Sequence, residues 1–349
     1  MTNTPCLCRL LSVGILSAGM ISADVSFSVT FVDPGGSHAA LQPDIRRLVL
    51  AAGADWARYL RTPAGVTPAI EVQVEFGDNT TVNGASATSA FVATRDGYNV
   101  FEQGMAAEIR TGTDPNGAAP DVVIRFGDAY LRDELWFDPD PFARLAVVPD
   151  DRTDAYSAIL HELGHALGFE GWRDYATGSL PLPAGAHGAY RSTWDEHIVV
   201  EPDATFFFTG PAAQARYGAP VPLTSGNINH LGNDAPGFGA ELLPDLMNGV
   251  EFYRGYRYFI STIDVAVMQD IGVPLTRTEV VPPEIRALEP LPGGQFIARW
   301  TGANYRLRLE HTASLTAPVW QSLATGLAGT EFKFNAPKSE AHFFRLVAE

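Results

Sequence analysis

The residues with the clearest chemical potential stand together as His161-Glu162-Leu163-Gly164-His165, within "SAILHELGHALGFEGW". Residues four apart share one face of a helix, so His161 and His165 present two imidazoles in one direction, as neighbouring zinc ligands must. Glu162 then falls beside them without being a ligand itself. A carboxylate so placed can take a proton from water activated at the metal as that water attacks a peptide carbonyl. The pattern is the one expected of zinc peptidases. The competing account makes these residues a chance match on a surface or packed helix. The helical context and the glycines beside the histidines weigh against it.

Such a helix needs a start and a supporting face. Thr153 or Asp154 is placed to cap it, and Tyr156, Leu160, Leu163 and Leu167 form an apolar stripe away from the histidines. Ser157, Gly164 and Gly168 leave room on the histidine face, although each glycine inside a helix costs about 1 kcal/mol relative to alanine. A catalytic zinc takes three protein ligands and leaves a fourth position free. Gly171 stands where a third ligand would normally come, and it has no side chain to offer. The other histidines of the front part are His38, His187, His197 and His230. His38 precedes the first helix. His187 lies in the loop "PAGAHGAY", which has the reach. His197 is flanked by Asp195 and Glu196, which suit a salt-bridged structural histidine.

"HELGHALGF" resembles the metzincin superfamily of zinc endopeptidases, whose motif runs His-Glu-x-x-His-x-x-Gly-x-x-His. His161, Glu162, His165 and Gly168 match it, and Gly171 does not. In leishmanolysin-like metzincins an insertion separates the glycine from the third histidine, and this chain looks like bacterial relatives of that group. The likeness continues in "NINHLGNDAPGFGAELLPDLMNGVEFYRGYRYFISTIDVAVMQDIG". There the resemblance gives His230 the place of the third ligand and Met247 that of a methionine turn beneath the metal, with His187 as the next candidate ligand. It implies one catalytic Zn2+ on His161, His165 and His230, with Glu162 as general base and then acid; a Ca2+ site is not legible. Some metzincins carry a Tyr two residues after the methionine. Here that position is Gly249, so the role has no carrier, and Tyr253, Tyr256 and Tyr258 stay unassigned. A rival peptidase reading, in the manner of gluzincins, takes Glu196 or Glu201 as third ligand. A rival from another class is a non-catalytic adhesin that keeps a structural metal.

The elements around the motif follow from periodicity. "VSFSVTFVD" alternates as a half-buried strand does; Gln42 to Leu60 repeats apolar residues at helical spacing until Thr62-Pro63; "AIEVQVEF" and Val122 to Phe126 read as further strands. The glycine-rich "NGASATSAFVATRDGYN" reads as a loop, a short hairpin or a mobile insertion. Helical spacing returns in "STIDVAVMQDIG", with Gly272 as its stop. The order gives an α+β domain with a helix packed on a sheet. A peptide substrate is expected to lie extended along the sheet edge, where backbone groups are unpaired. Residues 277–294 are rich in proline and read as a linker. Residues 295–349 show short alternating runs, as in a small all-β sandwich, and look like modules at the ends of secreted bacterial proteins that bind a polysaccharide or cell surface or serve as spacers. The expected division is therefore 1–23, 24–276, 277–294 and 295–349.

The chain of 349 residues is 46% hydrophobic and 18% charged, which is the composition of a folded protein. Arg9 ahead of an apolar run from Leu10 to Ile21, then Ser22 and Ala23, reads as a secretory signal peptide over residues 1–23. That run is too short for a membrane span. Both cysteines, Cys6 and Cys8, lie before it, so the exported protein, extracellular or periplasmic, would have no disulfide. The net charge of -16 lies in the front part, since residues 281–349 hold seven Lys or Arg and six Asp or Glu. Such a surface repels nucleic acid and anionic lipid; the resemblance to zinc endopeptidases implies a protein or peptide as the partner.

Overall fold

The computed structural model describes residues 13–15, 25–232, 242–250, 252–280, 283–301, 307–327, 329–335 and 342–348. The leader assigned to residues 1–23 lies outside these apart from Val13–Ile15 (β1), which pairs in parallel with His342–Phe344 near the chain's end. The chain divides into two units, one joining Ile21–Phe142 to Ala146–Val281 and a smaller one made chiefly of Pro282–Glu349. The whole is a mixed α+β structure. No helix among the described residues is long and apolar enough to cross a membrane.

In the larger unit, Ser26–Val32 (β2) leads through the helix Gln42–Ala57 (α1) to Ala69–Gly77 (β3), which lies parallel to it. Residues 83–99, read from sequence as a loop, a short hairpin or a mobile insertion, contribute most of a hairpin and, before it, an edge strand that the sequence did not mark. These are Val82–Ser86 (β4), Ser89–Arg95 (β5) and Tyr98–Gln103 (β6), with Asp96 and Gly97 at φ of 51° and 80° making the turn. Helix Gly104–Thr111 (α2) precedes Val122–Gly127 (β7), which is parallel to β3 and antiparallel to β4. The sheet order is β2-β3-β7-β4, so β4 forms its edge.

Helix Asp128–Asp133 (α3) and the parallel pair Leu135–Trp136 (β8) and Thr153–Asp154 (β9) then deliver the chain to the helix Ala155–Leu167 (α4). This helix carries the His161 motif, and all its residues are buried. An apolar stripe alone would not require that. One side packs on α1 and the other faces β4, so the helix is clamped between them. Beyond it, Tyr190–Ser192 (β10) adds to β6, and Ile198–Val200 (β11), Phe206–Phe208 (β12) and Val221–Pro222 (β13) form a small antiparallel sheet with Pro211–Tyr217 (α5) between its strands. Thr262–Asp270 (α6) closes the unit. Ser261 and Asp264 cap it reciprocally, and Gly272 at φ of 87° ends it.

The smaller unit is built of strands. Ile285–Leu291 (β14), Gln295–Trp300 (β15), Leu307–Thr312 (β16), Gln321–Leu327 (β17), Glu331–Asn335 (β18) and His342–Ala348 (β19) form two sheets, β14-β15-β18 and β1-β19-β16-β17. Phe296, Trp300, Leu307, Leu309, Phe334 and Phe344 share one apolar cluster. The linker assigned to residues 277–294 is thus corrected. Ile285–Leu291 pairs with β15 along its length, and its Pro290 is tolerated because β14 is an edge strand. The larger unit also extends past the expected end at 276. It runs to Val281, with Val280 buried, and is tied back just past the end of α1, where Leu275 bridges Leu60 and Thr276 donates its N–H to the Tyr59 carbonyl at 2.7 Å.

A chain ending after Val281 should therefore unfold in one cooperative thermal transition with the helical circular dichroism of the full protein. A broad, non-cooperative melt would show that the second unit completes the first unit's core.

Candidate metal centre

Two contacts outside the motif fix α4 in place. Asp154, its N-cap, accepts from the Ser157 N–H at 3.3 Å and the Ser157 hydroxyl at 2.7 Å, a cap worth about 1 kcal/mol. Asp154 and Asp138, both buried, share Arg257, at 3.0 Å and 2.7 Å. Trp56 of α1 donates its indole N–H to the Leu160 carbonyl at 2.9 Å.

The three Nε2 atoms of His161, His165 and His230 converge, 3.0 Å from first to second, 2.9 Å from second to third and 3.1 Å from third to first. Each Nδ1 faces a backbone carbonyl: His161 at Leu246 (2.7 Å), His165 at Phe169 (2.6 Å) and His230 at Asn227 (3.3 Å). A carbonyl only accepts, so each Nδ1 carries the ring's proton and each Nε2 keeps a bare lone pair. Burial is the main cause holding these rings neutral: it pushes His161 down to about 3 and His165 to about 4, and His230 well below its ordinary value. Three lone pairs pointing at one another repel unless a cation lies between them. The three side chains are thus a group that could hold a metal ion.

His230 reaches the other two because its loop is stitched to the turn that carries Met247. Leu231 donates to the Met247 carbonyl at 2.7 Å, Thr224 donates to the His230 carbonyl at 3.1 Å, and Leu231 bridges Asn248. Three glycines make the approach possible. A β-carbon on Gly164 would stand 2.6 Å from the Met247 sulfur, one on Gly249 2.5 Å from His230 Cβ, and one on Gly84 2.4 Å from Glu162 Cβ. Gly249 thus leaves room for the His230 side chain, which any larger residue there would meet. Gly171 is equally constrained. A β-carbon there would meet Asp195 at 2.4 Å, and its N–H donates to Asn229 Oδ1 at 3.1 Å.

Glu162, 6% exposed, accepts from the Gly84 N–H at 2.5 Å through Oε2. Burial pushes its carboxyl well above the ordinary range; the Gly84 N–H works against this and Glu170 adds to it. A cation between the imidazoles would oppose the rise. The cavity over these groups measures about 810 Å³ and takes in the edge residues Thr81 to Gly84, Tyr130, Tyr175 and the Glu134–Arg254 ion pair at its rim. Glu170 also lines it; burial, and next Asp195, push its carboxyl to about 7, against a hydrogen bond from Asn229 at 2.9 Å.

The other sequence candidates lie elsewhere. His38 stacks on Phe76 at 4.1 Å and pairs with Asp128 at 3.3 Å. His187 is exposed. His197 is structural as expected, but it bonds the Asp270 carbonyl at 2.9 Å rather than a neighbouring carboxylate. Glu196 is paired with Arg95 and Arg191, at 2.6 Å and 2.9 Å, and Glu201 lines a different pocket. Tyr253, Tyr256 and Tyr258 do not line the cavity; Tyr258 is buried and stacks on Phe252, which itself meets the His161 ring edge-on. Sequence reasoning missed Gly84, Asn229, Tyr130 and Tyr175. Of these, Asn229 alone had a signal, as the neighbour of His230. Comparison of the chain with protein-family models, curated proteins and solved structures finds no match.

His230→Ala should sharply lower the uptake of a divalent ion, while His187→Ala and His197→Ala leave it intact. Metal analysis of the purified proteins decides this, and full occupancy in His230→Ala would remove His230 from the ligand set.

Proposed function

We propose that this chain is an exported zinc endopeptidase with a metzincin-like larger unit of the leishmanolysin-like kind, and that its smaller unit is a β-sandwich that binds a polysaccharide or cell surface. The observation that carries the reading is the convergence of three Nε2 lone pairs beside Glu162, each Nδ1 locked on a carbonyl. A set of three neutral imidazoles without thiolate or further carboxylate suits Zn2+ with one position left open. Bound there, zinc would supply Lewis acidity, acidifying water and polarising a peptide carbonyl.

The chain's own residues do the rest. Glu162 has one oxygen held by the Gly84 N–H and lines the same cavity as the three histidines, which leaves its other oxygen to carry a proton there. That oxygen takes a proton from the attacking water and later gives it to the departing amine. Burial strengthens the carboxylate's hold on that proton, while the Gly84 N–H and a cation between the imidazoles would both favour the ionised form that must take it. Because Thr81 to Gly84 of the edge strand line the same cavity, an extended peptide can lie against β4 with its scissile carbonyl over the histidines. A cavity of about 810 Å³ bordered by an edge strand suits a polypeptide better than a small compact substrate. No observation favours the carboxylate-ligand reading, and the intact Glu162 speaks against a purely adhesive protein.

The test is cleavage of casein and of a peptide library, with and without 1,10-phenanthroline. The parent should cleave and the chelator should stop it. Glu162→Gln should keep its zinc and lose about 10²- to 10⁴-fold in kcat, the usual contribution of a positioned base. Undiminished cleavage by Glu162→Gln would rule out the assigned mechanism, and a zinc-loaded parent that cleaves nothing would return the chain to the adhesin reading.

A further inference from the structure

Away from the histidines, α2 and the parallel strands β3 and β7 bring a second set of ligand-type side chains together. Glu71 of β3, Glu108 of α2 and Asp121, the residue before β7, each place a carboxylate oxygen within 4.8 Å of the others. Asp121 is 0% and Glu108 4% exposed. The backbone satisfies half of what they offer. The Ala69 N–H donates to Glu108 Oε1 at 3.1 Å and the Glu71 N–H to Asp121 Oδ2 at 2.8 Å. The remaining oxygens, Glu108 Oε2 and Asp121 Oδ1, are buried without a hydrogen-bond partner. The largest charges acting on Glu71 and Glu108 are those of Asp121 and Asp114, both negative. Carboxylates this close and this dry repel unless a cation or a proton lies between them.

We propose that Glu71, Glu108 and Asp121 form a structural calcium site, in which Ca2+ bridges β3, α2 and the start of β7. The donor set is oxygen alone, which suits a hard cation, whereas zinc prefers the nitrogen donors of the other centre. Calcium's remaining positions are open to carbonyls and water. The site has a use in this chain. Residues 25–349 contain no cysteine, so no disulfide holds the sheet. The Asp121 carbonyl also accepts from the Ala87 N–H at 2.7 Å, just past β4, so a fixed Asp121 steadies the strand whose Gly84 holds Glu162.

The competing occupant is a shared proton. Burial, followed by the nearness of Asp121, pushes both Glu71 and Glu108 to about 7, so an ion-free cluster holds a proton at neutral pH. The measurement is therefore made at pH 8, where that proton is largely gone. It does not depend on the peptidase reading, because its readout is calcium binding and thermal stability.

The full-length protein is stripped with EDTA, freed of chelator, and melted alone, with millimolar CaCl2, and separately with ZnCl2. Calcium should raise the midpoint by about 5 °C or more, as a ligand well above its dissociation constant does for a unit of this size. Equilibrium dialysis should find one calcium ion per chain. Glu108→Gln and Asp121→Asn keep the shape and relieve the repulsion, so they should fold at least as well as the stripped parent. They should lose the calcium gain and keep the zinc gain. Glu71→Gln supplies the same comparison if either buried variant fails to fold. A stripped parent whose midpoint ignores calcium, or variants that retain the full calcium gain, would overturn the proposal and leave the shared proton.

Discussion

Three imidazoles must be kept neutral, with their lone pairs crowded to about 3 Å, inside a region that excludes most water. The rest of the larger unit is arranged around that requirement. Left alone, the rings would turn away from each other or take up protons. They do neither because three carbonyls, from Leu246, Phe169 and Asn227, hold the opposite face of each ring. Those carbonyls come from three separate parts of the chain, and that of Asn227 also accepts from the His230 N–H at 3.1 Å. The Phe169 carbonyl lies just past the last turn of α4, and the Leu246 carbonyl belongs to the turn that carries Met247. That turn therefore orients His161 through its backbone as well as presenting a sulfur to Gly164.

The position of α4 makes this possible. A helix exposed on one face would leave its histidines hydrated and mobile. Here α1 contributes an indole N–H to its backbone, Arg257 secures its cap, and the sheet edge closes over Glu162. Burial has two opposed consequences within a single turn of helix. It lowers the proton affinity of the histidines and raises that of the glutamate, so one loss of water acts in opposite senses on neighbouring groups, as the proposed roles of ligand and proton carrier need.

The parts of this arrangement that were legible in the sequence are those with a period. His161 and His165 stand one helical turn apart, and the Ile45-to-Trp56 face, the alternation of β2 and β3 and the capped α6 are of the same kind. His230 and Met247 were reachable only through resemblance, because nothing in their spacing states that their loops lie side by side. β4 was hidden because "VNGAS" lacks the bulky apolar residues that mark a strand. Its glycine is there to admit Glu162, so the feature that makes it functional is the one that disguises it. β14 was hidden by prolines that an edge strand accepts. The pairing of Asn229 with Glu170 and Tyr175 depends on where a loop folds back, which no local pattern encodes.

Gly84, Gly164 and Gly249 carry no chemistry of their own, yet each stands where a single added carbon would intersect Glu162, Met247 or His230. The centre is therefore bounded by main chain, and its tolerance to random substitution is set as much by these silent positions as by the histidines and the glutamate. On the proposed function, the inactive members of a saturation library of this chain would include a set of glycines dispersed over more than half the larger unit's length. Their phenotype would be that of a displaced ligand or base in a protein whose every reactive side chain is still encoded.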